Sequence, residues 1–176
     1  MTKVERIVLA LISGLCYVGF SAGSQCCQNG WVIFGDSCYL FADETNLDWT
    51  EATHFCASHG NLHIVTLESK SEELFLRDQC QRLFKQGASR DNWFWLGATD
   101  DEVEGIWTWY TNHKLLSDGY TNWYGSEPAT GSSINQDCAV LWGPRGYTWE
   151  DHVCELKSHV ICEKNSTVRI ENEIVG

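Results

Sequence analysis

Proline occurs only at Pro128 and Pro144 in the 176 residues, and no internal repeat or low-complexity segment is present. Basic residues are also scarce, because 12 lysines and arginines stand against 24 aspartates and glutamates. A chain with this excess of negative charge repels nucleic acid and anionic lipid, so we exclude both as partners. The length and the lack of repeats predict one domain that is large enough to bury a core.

Long apolar runs are absent as well, apart from one near the start. Residues 7–20 are apolar but short for a bilayer span; they follow Lys3 and Arg6 and precede the small residues 21–24. This arrangement predicts a secretory signal peptide over residues 1–24, with an uncleaved membrane anchor as the alternative. No other stretch approaches membrane length. We therefore expect a secreted, extracellular protein and no membrane insertion of the mature chain.

Cysteine, in contrast, is abundant, with nine in the chain. Cys16 lies in the predicted leader, and the remaining eight form an even set. An even set in an exported chain predicts four disulfides, which form outside the reducing cytosol. Spacing alone does not choose among the possible pairings. The absence of a paired Cys-x-x-Cys set argues against zinc as the alternative.

The first half of the chain has the patterns of a hairpin and two helices. Apolar runs on both sides of the Gly35-Asp36 turn predict a hairpin over residues 31–41. Two capping pairs then predict helices that end at a glycine. The pairs and their glycines are Asp48 with Glu51 and Gly60, and Ser69 with Glu72 and Gly87.

The second half has short aromatic and β-branched runs between polar and glycine-containing segments. These runs predict strands at residues 93–96, 106–109, 139–142 and 159–162. Residues 119–136 have little periodicity, and a loop of this length in a compact domain is usually functional. The polar residues 165–176 are predicted to form a C-terminal tail.

Several short motifs follow one another in an order that is typical of one family. They are Cys27-x3-Trp31, Cys38-Tyr39, Trp49-x6-Cys56, Phe94-Trp95-Leu96-Gly97, Gly105-Ile106-Trp107-Thr108-Trp109, Glu127-Pro128, Asp137-Cys138 and Trp149-x4-Cys154-x7-Cys162. Together they resemble the C-type lectin-like domain in its long form, which has an extra N-terminal hairpin. The resemblance is specific because independent motifs occur in the correct order from residue 27 to residue 164.

The resemblance implies an α+β fold over residues 25–164, with two helices packed on small antiparallel sheets and a long loop clamped by a disulfide. It also implies three pairings, Cys27–Cys38, Cys56–Cys162 and Cys138–Cys154. Two cysteines, Cys26 and Cys80, fall outside this set. We expect a fourth bridge, Cys26–Cys80, with an interchain bridge through Cys26 as the alternative.

The resemblance further implies a calcium ion that is held by loop oxygens and coordinates two sugar hydroxyls. Calcium takes about six to eight oxygen ligands, mainly from carboxylates and carbonyls. The family's positions correspond to Glu127, Ala129, Gln136, Glu150 and Asp151. Because Ala129 has no side-chain oxygen, the predicted primary calcium site consists of Glu127, Gln136, Glu150 and Asp151.

Three of these positions differ from the family's usual residues. Members with Glu-Pro-Asn bind mannose-type sugars and members with Gln-Pro-Asp bind galactose-type sugars, whereas this chain has Glu127-Pro128-Ala129. Gln136 replaces a glutamate, and Glu150 replaces an asparagine. Three carboxylates remain, so the site stays anionic and calcium is predicted as the cofactor. A chain that kept the fold and lost the ion is the alternative.

An auxiliary calcium site is implied near the Trp-Leu-Gly motif. Asp100, Glu104 and Asp137 match the acids that some members use there, whereas Thr130 and Gln136 replace two others. A solvated acidic loop is the alternative interpretation of these residues.

Other residues have simpler interpretations. Trp149 is predicted to contact the ligand, because an indole ring can stack on a sugar face. Asn165 begins the only glycosylation sequon and is predicted to be glycosylated. Glu150 and Asp151 are adjacent on a predicted strand and therefore point to opposite faces, which argues against a glycosidase pair. No other catalytic motif is present, so we expect no enzymatic activity.

These observations predict a secreted protein that recognises glycans or glycoproteins with the help of calcium, in innate immune recognition or agglutination. Because a single domain binds a monosaccharide weakly, homo-oligomers would supply avidity. The alternatives are a calcium-binding structural or biomineral-matrix protein and a calcium-independent module that binds a protein ligand.

Overall fold

The structure, a computed structural model, describes residues 16–18, 24–60, 62–83, 92–129 and 135–169. In these ranges two α-helices accompany a mainly antiparallel sheet of eight strands, and a separate sheet has three strands. The arrangement confirms the predicted α+β fold.

The helices are α1 (Trp49–Ser58) and α2 (Lys70–Leu83). The strands are β1 (Cys16–Val18), β2 (Ser24–Cys26), β3 (Val32–Phe34), β4 (Ser37–Leu47), β5 (His63–Ile64), β6 (Trp93–Thr99), β7 (Thr108–Trp109), β8 (Cys138–Trp142), β9 (Thr148–His152), β10 (Ser158–Asn165) and β11 (Thr167–Arg169). The main sheet has the strand order β3-β4-β10-β6-β8-β9, with β5 beside β10 and β7 beside β6, and the small sheet has the order β1-β2-β11.

Both helices begin at the predicted capping residues. The Glu51 N–H donates to Asp48 Oδ1 at 2.8 Å, and the Asp48 N–H donates to Glu51 Oε2 at 3.1 Å, which completes a capping box. At the start of α2, the Glu72 N–H donates to Ser69 Oγ at 3.2 Å. The predicted end of the second helix at Gly87 lies outside the described residues.

Strand β10 brings the two ends of the domain together. It pairs antiparallel with β4, so that Asn165 lies opposite Ser37, and it runs parallel to β6, so that His159 lies opposite Phe94. Because the pairing with β10 continues as far as Leu47, opposite Ser158, the hairpin strand β4 extends well beyond its predicted end at residue 41. The predicted strand over residues 106–109 is shorter than expected and includes only Thr108–Trp109.

Two hydrophobic cores lie on opposite faces of the main sheet, and β10 contributes alternate residues to both. Ile161 belongs to the core that contains Leu76 of α2 and Trp149 of β9. Val160 belongs to the core that contains Cys56 of α1 and Trp95 of β6. This alternation follows from the two-residue period of a strand.

Three disulfides join the pairs that the family resemblance implies, Cys27–Cys38, Cys56–Cys162 and Cys138–Cys154. The fourth expected bridge, Cys26–Cys80, is not formed, because Cys80 is a free thiol in the core. Burial raises the pKa of this thiol well above its ordinary value, so it is kept protonated. Cys80 packs as a small apolar residue on the inner face of α2, so the even number of cysteines did not indicate a bridge at this position.

The small sheet extends beyond the predicted domain limits. Strand β2 pairs with β1, which lies within residues 1–24, and with β11, which lies in the predicted tail over residues 165–176. The signal peptide and these domain limits stay predictions. Neither helix in the described ranges combines the length and the hydropathy that are needed to cross a membrane.

The disulfides should differ in their contribution to stability because they close loops of different length. Cys56–Cys162 spans 106 residues and Cys27–Cys38 spans 11. In the loop-entropy model, removal of the first should cost roughly 5 kcal/mol and removal of the second roughly 3 kcal/mol. Urea unfolding of the Cys56→Ala/Cys162→Ala and Cys27→Ala/Cys38→Ala variants measures the difference. An equal loss of unfolding free energy would contradict this account.

Candidate functional site

The long loop that follows β7 is anchored on β9 by backbone hydrogen bonds. The Trp149 N–H donates to Asn122 O at 3.1 Å, and the Tyr124 N–H donates to Trp149 O at 2.8 Å. The Glu127 N–H in turn donates to Tyr124 O at 2.9 Å. These bonds bring Glu127 toward the strand that carries the two other predicted acidic ligands.

Glu150 and Asp151 lie on β9 and are largely buried, with 6% and 3% of their surface exposed. Asp151 Oδ2 accepts a hydrogen bond from the Ala129 N–H at 2.8 Å, and its backbone carbonyl accepts one from Gln136 Nε2 at 3.1 Å. Asp151 therefore connects both described ends of the loop that leads from Glu127 to β8. The structure brings together all four residues of the predicted primary site.

Burial and mutual repulsion raise the pKa values of the acids on β9. The pKa of Glu150 rises to about 7, because the group is buried and lies near Glu127 and Asp151, although Arg145 opposes the rise. Burial and the adjacent Glu127 carboxylate raise the pKa of Asp151 to about 6. The Glu127 carboxylate thus acts on both acids of β9, and its negative charge disfavours the ionised forms of Glu150 and Asp151.

The residues present fit a calcium ion. Asp151 Oδ1 is buried and has no hydrogen-bond partner in the described part of the chain. A buried acceptor without a partner costs about 1–3 kcal/mol, which a bound cation would offset. Carboxylate oxygens and the carbonyl of the Gln136 amide are ligands that calcium prefers. When bound, calcium would supply positive charge and coordination positions for sugar hydroxyls.

These groups do not form a complete metal cage by themselves. No cluster of three or more His, Cys, Asp or Glu side chains that could hold a metal ion occurs among the residues that the structure describes. One oxygen of Asp151 is used by the Ala129 N–H. We therefore expect calcium binding to require a local rearrangement of these side chains.

The predicted auxiliary residues also interact with one another. Asp100 is largely buried, its Oδ2 accepts a hydrogen bond from the Gly105 N–H at 2.8 Å, and its Oδ1 has no partner in the described ranges. Burial raises the pKa of Asp100, and Glu104 and Asp137 add to the rise. The pKa of Asp137 is raised by burial and by nearby acids that include Glu104. Calcium at these residues stays a prediction.

The comparison with protein families decides the identity of the fold. The model of the C-type lectin domain matches residues 45–164, which is more than half of the chain. The chain belongs to the C-type lectin family. It is similar to perlucin of Haliotis laevigata, with 33% identity over 129 residues that cover 73% of this chain and 76% of perlucin.

Similar vertebrate proteins are longer than this lectin. Human C-type lectin domain family 6 member A is 28% identical over 153 residues, which cover 83% of this chain and 66% of that protein. Mouse asialoglycoprotein receptor 2 is 30% identical over 152 residues, which cover 84% of this chain and 45% of the receptor. The lectin thus spans less than two thirds of several curated relatives that it matches.

Solved structures support the same assignment. The carbohydrate-recognition domain of the mouse scavenger receptor C-type lectin is 27% identical with a TM-score of 0.65, covering 80% of this chain and 98% of that domain. The cow CD23 domain, solved in the presence of a GlcNAc2Man3 oligosaccharide, is 25% identical with a TM-score of 0.65, covering 81% of this chain and 98% of that chain. The C-type lectin family and fold support a carbohydrate-recognition function of the lectin type, and they are those of carbohydrate-binding proteins that are not enzymes.

The predicted role of Trp149 in ligand contact is wrong. The side chain is fully buried, and its Nε1–H donates to Glu73 Oε2 at 3.0 Å. Its ring packs edge-to-face against the rings of Trp109 and Trp123, inside the core. An indole in this position cannot stack on a sugar, because no solvent-facing side of the ring is left. Trp149 instead fixes the backbone on which Glu150 and Asp151 lie.

Arg145 is a residue of this site that the sequence did not single out. Its Nε lies 3.9 Å from Glu150 Oε1, and its guanidinium lies over the Tyr124 ring at 4.6 Å. His152 Nε2 lies 3.9 Å from the other oxygen of Glu150, and burial lowers the pKa of this imidazole. Arg145 thus offsets part of the charge that Glu150 adds in place of the family's asparagine. The only sequence signal was its place in a Gly-Pro-Arg-Gly turn before β9.

The calcium-free lectin should become more stable as the pH falls. The pKa of Glu150 is 4.5 in an unfolded chain and about 7 in the fold, so between these values the folded state binds more protons. Unfolding free energy in chelator should therefore decrease as the pH rises from about 5 to 8. Glu150→Gln should remove part of this slope and raise the unfolding free energy at pH 8 by on the order of 1 kcal/mol.

Urea unfolding of both proteins in chelator across this pH range measures the slopes. The exposed Glu44 on β4 offers the control variant Glu44→Gln, which should keep the slope of the wild type. Identical slopes for all three proteins would show that the fold does not raise the pKa of Glu150.

Proposed function

We propose that this lectin is a secreted protein that binds glycans through a calcium ion held by Glu127, Gln136, Glu150 and Asp151. The observation that carries the proposal is the buried Asp151 Oδ1, which has no hydrogen-bond partner in the described ranges, together with the Glu127 carboxylate, which raises the pKa values of Glu150 and Asp151. Without a cation, repulsion among these acids destabilises the site. A bound cation would attract each of the carboxylates and offset this repulsion. The three disulfides support an extracellular location.

The ligand would share the calcium ion through two of its hydroxyls. Glu150 offers oxygen to the ion but no hydrogen-bond donor to a sugar, unlike the asparagine that is usual there. Gln136 retains an amide that can donate. Fewer donors predict weak binding of a single sugar, so homo-oligomers would be needed for avidity in glycoprotein recognition or agglutination. An innate immune role belongs to the same proposal.

Calcium-independent ligand binding is the second candidate. The Ala129 N–H and the Gln136 amide already bind Asp151 and hold the loop without an ion. A calcium-independent type II antifreeze protein has the same fold, with a TM-score of 0.63 and 24% identity. This likeness concerns the fold alone and favours no particular ligand.

Calorimetry with calcium, followed by a glycan array with and without chelator, distinguishes the candidates. Glycan binding that is lost in chelator supports the proposal. Calcium binding without any glycan signal would replace it with a calcium-binding structural or mineral-matrix role, for which the acidic composition is suited. Glycan or protein binding that does not respond to chelator would favour the second candidate.

Removal of either acidic ligand should abolish the calcium response. Glu127→Ala and Asp151→Ala each take away a carboxylate that no neighbouring side chain replaces, so calcium affinity should fall by at least about 100-fold. Isothermal calorimetry checks this, with Glu44→Ala as the control for loss of a carboxylate far from the site. Wild-type affinity in both site variants would exclude the assigned ligands.

Restoration of the missing ligand should strengthen binding. Ala129→Asn adds a carbonyl oxygen and an amide donor and recreates the Glu-Pro-Asn motif of mannose-type members. We expect about tenfold tighter calcium binding and a gain of mannose-type signals on the glycan array. Ala129→Leu, which adds a side chain of similar size without oxygen, should produce neither change. Equal behaviour of the two variants would argue that position 129 does not face the ion.

A further inference from the structure

Glu73 is a buried carboxylate of α2 that is not among the predicted site residues. Only 1% of its surface is exposed, yet Asn122, Trp149 and Arg77 donate hydrogen bonds to it, and the Tyr120 hydroxyl is a further partner. Asn122 Nδ2 donates to Oε1 at 2.6 Å, and Trp149 Nε1 donates to Oε2 at 3.0 Å. Arg77 Nη1 lies 3.4 Å from Oε1 and supplies the opposite charge from the next turn of the helix.

Two of the neutral donors belong to the segments that form the candidate site. Asn122 lies at the base of the long loop, and Trp149 immediately precedes Glu150 on β9. Their backbones are joined by the hydrogen bond from the Trp149 N–H to Asn122 O at 3.1 Å. Glu73 therefore binds the side chains of the two residues whose backbones connect the loop to the strand.

The connection continues from this pair to the loop acid. Tyr124 N–H donates to Trp149 O, and Glu127 N–H donates to Tyr124 O. Two hydrogen bonds thus separate Trp149 from Glu127, and a single peptide bond separates Trp149 from Glu150. A shift of the Trp149 side chain would change the position of both acids relative to each other.

Arg77 extends the same support to the turn before β9. A Cβ atom placed on Gly146 would lie 3.4 Å from Arg77 Nη2, so the guanidinium packs directly against this turn. Gly146 has a φ of +69° and follows Arg145, the residue that faces Glu150. The Glu73–Arg77 pair therefore contacts both segments that border the site, the loop base and the β8–β9 turn.

We infer that Glu73 is a positioning residue that holds the long loop and β9 in the relative arrangement that calcium binding requires. The inference rests on the proposed calcium function for its affinity readout, and on the hydrogen bonds alone for its structural readout. A carboxylate is needed at this place because it accepts on both oxygens. A glutamine would turn an N–H group toward one of the donors and would leave Arg77 without its counter-ion.

The decisive variant is Glu73→Gln, which keeps the size of the side chain. Loss of a direct hydrogen-bond partner of metal ligands typically lowers metal affinity by about 10–100-fold; because Glu73 acts through Asn122 and Trp149, we expect calcium affinity to fall by about tenfold, the lower end of this range. The indole N–H resonance of Trp149 should shift, because it loses a charged acceptor. Backbone amide exchange at Tyr124, Glu127 and Trp149 should become at least about tenfold faster.

Three further variants separate positioning from a general loss of stability. Asp78→Asn removes a carboxylate from the exposed face of the same helix and should change none of these readouts. Ile64→Val weakens the core on the opposite face of the sheet and gives a destabilised protein with an intact loop base. Asn122→Ala removes one donor without altering the buried charge and should accelerate exchange at the same three amides, even if Glu73→Gln fails to fold.

The outcomes are distinct. If calcium affinity falls in Glu73→Gln and Asn122→Ala but not in Ile64→Val, the inference is supported. If it falls equally in Ile64→Val, or if exchange at the three amides is unchanged in Asn122→Ala and in folded Glu73→Gln, the inference is overturned. If the wild type binds no calcium, the proposed function fails, and faster exchange in the Glu73 and Asn122 variants still supports the positioning of loop and strand.

Discussion

The pairing of β10 with β4, together with the Cys56–Cys162 bridge from α1 to β10, is the constraint on which the rest of the structure depends. It joins the last strand of the main sheet to the N-terminal hairpin, so that both ends of the intervening chain are fixed next to each other. Because β10 also borders β6, it lies between the two cores and contributes side chains to both. The sheet that carries the site is thus built outward from β10, through β6 and β8 to β9.

The site lies on the last strand of this series. Its acids do not stabilise the fold, and the surrounding structure keeps them in place. Glu150 and Asp151 are buried next to Glu127 although burial and repulsion raise their pKa values. Such a cluster persists only when its surroundings are rigid. The Cys138–Cys154 bridge, the buried Trp149 and its bond to Glu73 provide that rigidity. Local conflict of this kind in an otherwise consistent fold is typical of functional sites.

Arg145 helps to explain how the fold accommodates Glu150, which replaces the family's usual asparagine. Glu150 adds a negative charge where asparagine is usual, and Arg145 and His152 lie at 3.9 Å from its two oxygens. The guanidinium is itself held over an aromatic ring. Arg145 therefore offsets part of the charge that Glu150 adds, which helps to explain how the altered set of residues can coexist in a small space.

Features that depend on neighbours in the chain could be predicted from the sequence. The capping box of Asp48 and Glu51 is closed by residues three positions apart, and the hairpin at Gly35 needs only a turn between two apolar runs. The family pattern also predicts the four residues of the candidate calcium site, and this role stays a prediction. The buried position of Trp149 could not be predicted, since an indole ring can belong to the core or face a ligand.

Cys80 and Glu73 illustrate the same limit. A thiol at a helical position indicates a partner or a core residue equally well, and only the packing of α2 against the sheet decided for the core. A glutamate next to a capping residue indicates an exposed helix start, yet the fold buries it under two segments that lie 49 and 76 residues away.

The sequence by itself therefore determined the fold class, the family and, through the family resemblance, three disulfide pairs, because these depend on residue types in a fixed order. It also predicts the acids that could bind calcium. The tertiary structure alone decided which of these acids repel one another, which oxygen lacks a partner, and which buried carboxylate supports the loop. These properties depend on distances between segments far apart in the chain, and such distances are set only when β10 closes the domain.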